Sequence, residues 1–217
     1  MTEEFVVDTP EGPGLWTISP AASRGGTVVA LGHGAGGQIT AKDLVVLSRL
    51  LPAHGLHVAR FTQPWKVAGR SITAGAPALD RAWLAAVEQL LARQGADTLV
   101  SGGRSNGARV ACRTEVESGA AAVVCLAFPL HPPGKPAQSR AQELLASRSP
   151  TLVVQGSTDP FGSAEEVRAV LPEGSPVRVV EVDGAPHSLQ PPARVRSADE
   201  HWRWLGDEVL GFLGSLA

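Results

Sequence analysis

The feature that most limits how this chain can fold is an apolar strand that leads into a serine between two glycines and then into a helix. Segment 98–100 is predicted to be a strand, and segment 103–107, Gly-Arg-Ser-Asn-Gly, follows it. Segment 108–118 has the pattern of a helix that ends at Gly119. A serine in a strained turn needs close neighbours without a Cβ, and the two glycines meet this need. The segment fits the G-x-S-x-G turn, which presents a serine hydroxyl above a sheet.

Strands and helices alternate along the rest of the chain. Strands are predicted for a hairpin at a sheet edge (5–7 and 15–18), for buried positions (27–31, 58–61, 122–128 and 151–155) and for a half-exposed edge (177–182). Helices are predicted around 44–54, 79–94, 138–146 and 164–170, and at the C-terminal end, where Trp202, Leu205 and Val209 recur at helical spacing. This alternation predicts an α/β three-layer sandwich around a mostly parallel sheet. The length suits a single domain covering 1–217.

Two local predictions concern the segments that follow strands 27–31 and 58–61. Thr40 to Asp43 fits a capping box at the start of the next helix. Trp65, Gly69 and Arg70 are expected in a long polar loop.

Composition narrows the class of function. The net charge of -2, with no cluster of lysine and arginine, gives no electrostatic footprint for nucleic acid or an anionic membrane. Cys112 and Cys125 lie in apolar segments and are predicted to be buried thiols in a reducing compartment. We expect a cytoplasmic protein, because the N-terminal residues lack a signal-peptide pattern and no apolar run is long enough for a membrane span. These features favour a protein that acts on a small molecule without a cofactor or metal.

A test of the serine motif comes from the ends of two later strands. In parallel α/β sheets, ligands bind beyond the carboxyl ends of the strands. Asp159 directly follows strand 151–155 in Gly-Ser-Thr-Asp, and His187 directly follows strand 177–182 in Asp-Gly-Ala-Pro-His. With Ser105 these give the order serine, aspartate, histidine, which is typical of α/β-hydrolases. His187 would take the serine proton and Asp159 would orient the imidazole.

Other interpretations of these residues remain open at this point. Asp183, four residues before His187, is a competing acid. Taken alone, Asp159 would more often form an Asx-turn or a helix cap than a catalytic group. The joint placement of three suitable side chains at one predicted edge favours the catalytic interpretation.

The glycine-rich loop 32–37 is a candidate for the part of the site that would stabilise the oxyanion. A tetrahedral oxyanion would be held by the N–H of Asn106, directly after the serine, and by that of Ala35 in the loop. His33 is expected to orient this loop. The alternative is a dinucleotide fingerprint at Gly32, Gly34 and Gly37, but strand 58–61 does not end in an acidic residue and the helix begins only after Thr40.

These motifs together resemble a known group of enzymes. The segments that carry the resemblance are 32–37, 102–109, 156–162, 184–188 and, most particular, Phe-Pro-Leu-His-Pro-Pro-Gly-Lys at 128–135. The chain resembles the dienelactone-hydrolase-like group, which includes the testis-expressed hydrolase-like proteins and a hydrolase-like subunit of the non-specific-lethal acetyltransferase complex. The resemblance implies an α/β-hydrolase fold and carries the triad onto Ser105, Asp159 and His187. Where Asn106 and Gly107-Ala108 stand, that group commonly has methionine and glycine.

The resemblance also leaves a non-enzymatic alternative, because some members of the group act as non-catalytic components of assemblies. The intact catalytic positions favour a hydrolase of small esters, thioesters or lactones over a scaffold. Only 22 residues separate Phe128 from Thr151, which is too few for a lid domain, so an open site and a small-molecule acyl substrate are expected. The candidate substrate-binding residues are Trp65, Arg70, Leu130, His131 and Phe161. The sequence leaves the oligomeric state open.

Overall fold

One eight-stranded sheet runs through the residues that the computed structural model describes, 2–22 and 26–216. Its strands are β1 (Glu3–Thr9), β2 (Gly12–Ser19), β3 (Thr27–Gly32), β4 (His57–Thr62), β5 (Thr98–Arg104), β6 (Ala122–Leu126), β7 (Thr151–Gly156) and β8 (Val177–Val182). Their order is β1-β2-β4-β3-β5-β6-β7-β8. The pairs β1/β2 and β2/β4 are antiparallel and the other five are parallel. The predicted mostly parallel sheet, with a hairpin at one edge and β8 at the other, is confirmed.

Helices cover both faces of this sheet. They are α1 (Lys42–Leu50), α2 (Pro64–Val67), α3 (Ala76–Gln94), α4 (Asn106–Ser118), α5 (Ala141–Leu145), α6 (Ala164–Ala169) and α7 (Ala198–Gly214), with a 3₁₀ turn at Leu51–His54 after α1. The core on one face joins the sheet to α1 and α7. On the other face, α3 packs over the strands near the hairpin, and α4, α5 and α6 pack over β6 and β7. None of the helices in the described ranges is long and apolar enough to cross a membrane.

Strand β6 shows why its sequence is apolar without interruption. Val124 and Leu126 belong to the core beneath α1 and α7, whereas Val123 and Cys125 belong to the core beneath α4. Successive residues of a strand point to opposite faces, so a strand covered on both sides needs apolar residues throughout. The strand ends at Leu126, two residues earlier than predicted, because Ala127 has a φ of 52°.

The start of α1 differs from the predicted capping box. The residue before the helix is Ala41, not Thr40, and no side chain caps it. One oxygen of Asp43 accepts from the N–H of Leu44 at 2.8 Å, and the other accepts from the guanidinium of Arg104 at 2.7 Å. The Thr40–Asp43 prediction is therefore wrong, because a cation from β5 engages the carboxylate that the box would use.

The segment after β4 also differs from the sequence-based expectation. Its first residues form the short helix α2, not a polar loop, and Trp65 within it is buried. Arg70 lies beyond α2 and is exposed, as expected for a loop residue.

Candidate active site

Ser105 occupies a strained turn between β5 and α4. Its φ is 52° and its ψ is -111°, a backbone conformation that is costly for any residue with a Cβ. The N–H of Ser105 donates to the carbonyl oxygen of Leu126 at 2.9 Å, which fixes the turn against β6. A Cβ at Gly103 would lie 2.5 Å from the carbonyl oxygen of Gly32, so the turn can pack on β3 only with a glycine there.

Ser105 is joined to His187 and Asp159 by a continuous chain of hydrogen bonds. His187 Nε2 lies 2.9 Å from Ser105 Oγ, and His187 Nδ1 lies 2.8 Å from Asp159 Oδ2. A hydrogen bond from Nδ1–H to the carboxylate leaves Nε2 able to accept the serine proton. The three side chains singled out in the sequence thus meet at the carboxyl edge of the sheet. Asp183, the competing acid, is exposed, and the imidazole is engaged by Asp159 instead.

The carboxylate of Asp159 is fully enclosed and held by further donors. Its Oδ1 accepts from the main-chain N–H of Phe161 at 2.8 Å, and its Oδ2 is 3.1 Å from Gln155 Nε2. The Gln155 amide also donates to the carbonyl oxygens of Phe128 at 3.1 Å and Gly162 at 2.6 Å. Sequence analysis missed Gln155, although a polar residue at the end of an apolar strand, four positions before Asp159, was a usable signal.

The loop after β3 lies against Ser105. A Cβ on Gly34 would be 3.5 Å from Ser105 Cβ and 4.0 Å from its Oγ. The next residue, Ala35, sits in a turn that is closed by the hydrogen bond from Gly37 N–H to the Gly34 oxygen at 2.9 Å. Asn106 opens α4 on the other side of the serine, so its N–H is one of the four that have no partner within the helix.

His33 ties this loop to the segment after β4. Its Nε2 accepts from the main-chain N–H of Gln63 at 3.1 Å, and its Nδ1 lies 2.7 Å from the Gly34 oxygen. Burial, the largest cause, and the charge of Lys66 lower the pKa of His33. A neutral ring with one donor and one acceptor nitrogen suits both contacts.

Comparisons with known proteins decide the family. A family model described as an alpha/beta hydrolase domain matches residues 25–213. This chain belongs to the alpha/beta hydrolases. The domain is also similar in structure to an alpha-beta serine hydrolase homologue from Coxiella burnetii, with a TM-score of 0.74, 22% identity and coverage of 96% of this chain and 98% of that one.

Two further solved structures share the fold of this alpha/beta hydrolase. A Xanthomonas campestris protein, described as an a/b serine hydrolase without lid, has a TM-score of 0.68 and 21% identity, with 94% of each chain covered. An esterase from Pyrococcus furiosus has a TM-score of 0.72 and 19% identity, with 99% of this chain and 90% of that chain covered. At such identities the likeness shows the fold.

Phe161 is the predicted pocket residue that contacts the hydrogen-bonded chain directly. Its ring lies over that of His187, with ring centroids 4.3 Å apart and planes tilted by 33°. Its carbonyl oxygen accepts from the main-chain N–H of His131 at 3.0 Å. His131 and Leu130 are buried, and the imidazole of His131 is 3.3 Å from a carboxylate oxygen of Glu166.

The other two predicted pocket residues of the alpha/beta hydrolase lie after β4. Trp65 is 4% exposed, and its ring meets that of His33 edge-on with centroids 5.6 Å apart. Arg70 is exposed, and its main-chain N–H donates to the oxygen of Trp65 at 3.0 Å. A ligand in solution can therefore reach the side chain of Arg70 but not that of Trp65.

Arg104, the residue before the serine, is a second one that sequence analysis missed. Its Nη1 donates to Asp43 at 2.7 Å and its Nη2 donates to the carbonyl oxygen of His187 at 2.9 Å. No short motif signals this contact, because the partners lie 61 and 83 residues away in the sequence.

Arg109 and Arg113, which follow Asn106 in α4, form a cluster of ion pairs with carboxylates of α3 and α5. Arg109 binds both carboxylate oxygens of Glu143, at 2.6 and 2.7 Å, and Arg113 binds Asp80 and Glu143. Burial raises the pKa of Glu143, but hydrogen bonds and charge from Arg109, followed by Arg113, outweigh this and lower it. Across 2–22 and 26–216, no group of three or more His, Cys, Asp or Glu side chains could hold a metal ion.

Proposed function

We propose that this alpha/beta hydrolase is serine-dependent and cleaves ester-type bonds. Ser105 is the nucleophile, His187 the general base and acid, and Asp159 the group that orients the imidazole. The observation that carries this proposal is the unbroken hydrogen-bond chain from the enclosed Asp159 carboxylate through His187 to Ser105 Oγ. The strained conformation of Ser105, which is typical of a nucleophile turn, supports it.

The reaction follows from these contacts. Ser105 Oγ bonds to the acyl carbon while its proton passes to His187 Nε2, and the C–O or C–S bond then breaks as His187 returns that proton to the leaving group. Water, deprotonated by His187, then attacks the acyl carbon, and the bond from that carbon to Ser105 Oγ breaks as His187 returns the proton to Oγ and the acid leaves. The oxyanion is held by the N–H groups of Asn106 and Ala35, each worth about 3 kcal/mol of barrier. The positive end of α4 adds to this stabilisation.

The proposed substrates are small esters, thioesters or lactones with an accessible acyl group. The short connection from Phe128 to Thr151 supports an open site. Phe161 and Arg70, whose side chains are not buried, are proposed to contact the substrate, and the buried Trp65, Leu130 and His131 are proposed to shape the site around them.

Labelling with a fluorophosphonate probe tests the proposed nucleophile. We expect the wild type to be labelled and Ser105→Ala to be unlabelled, because the probe phosphonylates an activated serine oxygen. His187→Ala should label far more slowly and should lose turnover of short p-nitrophenyl esters by about 1,000-fold or more, since the base is absent.

Ser188→Ala is the matched control, because Ser188 is an exposed serine next to His187. Its labelling should equal that of the wild type. A wild type that stays unlabelled, or a Ser105→Ala variant that is still labelled, would exclude the serine mechanism, and the first result would favour a non-catalytic scaffold. Labelling without turnover of any ester, thioester or lactone would reject the substrate class and keep the nucleophile.

A further inference from the structure

Arg104, the last residue of β5, links the strand that leads into Ser105 to the loop that carries His187. We propose that Arg104, held by Asp43, is a positioning residue that keeps the His187 imidazole over the serine hydroxyl. The proposal rests on the function proposed above and adds a determinant of rate that is not part of the triad.

The guanidinium of Arg104 bridges two acceptors on separate parts of the chain. Nη1 donates to Asp43 Oδ2 at 2.7 Å and Nη2 donates to the His187 oxygen at 2.9 Å. The guanidinium is planar and rigid, so fixing one nitrogen also fixes the direction of the other. One arginine therefore couples the position of the His187 main chain to that of Asp43.

Asp43 is itself immobilised. Its side chain is 1% exposed, and its Oδ1 accepts from the N–H of Leu44 in the first turn of α1. A carboxylate in the first turn is also stabilised by the helix dipole. The side chain of Arg104 is 18% exposed, so this charge-assisted contact is largely shielded from solvent. The carboxylate that holds Arg104 is thus fixed in the first turn of α1.

The contact from Arg104 to His187 restrains the segment between β8 and α7. Fifteen residues connect β8 to α7, and His187 lies among them. Main-chain contacts secure the part before His187, where the N–H of Thr158 donates to the Ala185 oxygen at 3.1 Å, whereas Arg104 secures the His187 carbonyl itself. Arg104 directly precedes Ser105, so the end of β5 holds both partners of the 2.9 Å contact between Ser105 Oγ and His187 Nε2. A shift of about 1 Å in such a contact can reduce a rate by roughly 100-fold.

A purely structural ion pair would predict a different outcome. Such a pair would need only the contact between Arg104 and Asp43, and its loss would lower stability without a specific effect on the proton-transfer step. The contact from Nη2 to His187 predicts an additional loss in kcat. Lysine at 104 would preserve the charge next to Asp43 but not the planar fork that reaches both oxygens.

The test compares Arg104→Lys with the double variant Arg104→Met/Asp43→Asn, which leaves no unpaired buried carboxylate. Each is measured for kcat, KM, the rate of fluorophosphonate labelling and the melting temperature, with rates taken well below the lowest melting temperature. We expect kcat and the labelling rate of the double variant to fall together by about 10- to 100-fold. KM should stay within roughly twofold, because the change affects the transition state and not substrate binding. Arg104→Lys should lie between the double variant and the wild type.

Arg113→Met is the matched control, because the Arg113 side chain is similarly buried and ion-paired but contacts α3 and α5. It should lose stability and keep kcat. Unchanged kcat and labelling in folded Arg104 variants, an equal loss of kcat in Arg113→Met, or failure of both Arg104 variants to fold would each overturn the positioning role. An unlabelled wild type would instead reject the proposed function on which it rests.

Discussion

Asp159 shows how single residues in this site are fixed by more than one neighbour. Its two oxygens meet His187 Nδ1, the Phe161 N–H and the Gln155 amide, all within 3.1 Å. The contact to Phe161 is the Asx-turn expected of a loop aspartate, and the contact to His187 is the one proposed for catalysis. The two contacts are compatible with each other, because a carboxylate has enough lone pairs for both.

At this residue scale, Gln155→Leu should weaken both the fold and the reaction. The substitution removes the Gln155 donor from the Gly162 and Phe128 oxygens, although the Phe128 oxygen keeps the Leu130 N–H at 3.0 Å, so we expect the free energy of unfolding to fall by about 1–3 kcal/mol. We also expect kcat to fall, since Asp159 loses a hydrogen bond that fixes its orientation. Thermal melts and ester turnover measure the two effects.

Gln89→Leu is the corresponding control, because the Gln89 amide also bonds main-chain oxygens but lies on α3 beside β1. It should leave kcat unchanged. A Gln155→Leu variant with wild-type kcat would show that Asp159 is adequately held by its other partners.

At the scale of elements, the site depends on how closely α4 and β5 approach β3. A Cβ on Gly32 would lie 3.1 Å from the Cα of Gly107, and a Cβ on Gly107 would overlap the main chain of Gly32. Small residues at both points let the turn at Ser105 sit directly against the strand that leads into the Gly34 loop. The close approach of the two glycines thus affects the distance between Ser105 and the loop that carries the proposed donor Ala35.

The expected result of Gly107→Ala is a destabilised protein with little labelling. The added methyl group must push α4 away from β3, which costs about 1–3 kcal/mol in a packed core and moves Ser105 relative to Gly34. Gly211→Ala, on an exposed part of α7 where a Cβ meets open space, should instead stabilise the fold by about 0.5–1 kcal/mol. Chemical denaturation and probe labelling compare them, and equal behaviour of the two variants would contradict the close-packing argument.

At the scale of the whole molecule, α7 closes one face of the sheet beside the loop that carries His187. His201, in the first part of α7, has no solvent-exposed surface, and its ring lies 4.6 Å from that of Trp202 and 5.6 Å from that of Trp204. Burial, followed by the charges of Arg196 and Lys42, lowers its pKa to about 4 despite an opposing contact with the Leu189 main chain. All three core clusters pack on one sheet, so we propose that 1–217 forms one domain. The lowered pKa of His201 should then affect the stability of the whole domain.

Global stability should therefore decline as the pH falls from about 6.5 towards 4. In this window the unfolded chain binds a proton at His201 and the folded protein does not, so acid favours unfolding. His201→Gln should flatten the dependence of the melting temperature on pH across this range. His54→Gln, at an exposed histidine, serves as the control and should keep the wild-type slope, and identical slopes in all three proteins would contradict the argument.

The sequence by itself determined the alternation of strands and helices, the edge positions of the hairpin and β8, and the placement of Ser105, Asp159 and His187 at strand ends. These features depend on periodicity and on turns of a few residues, which a linear pattern carries. Cys112 and Cys125 are buried free thiols, as predicted.

Only the tertiary structure decided which side chains hold the site in place. Asp43 fitted a local capping box but pairs with Arg104, and Trp65 fitted a polar loop but is buried against His33. Arg104 reaches His187 across 83 residues of sequence. Such contacts depend on the approach of separate elements in the folded chain, so no local pattern of residues can specify them.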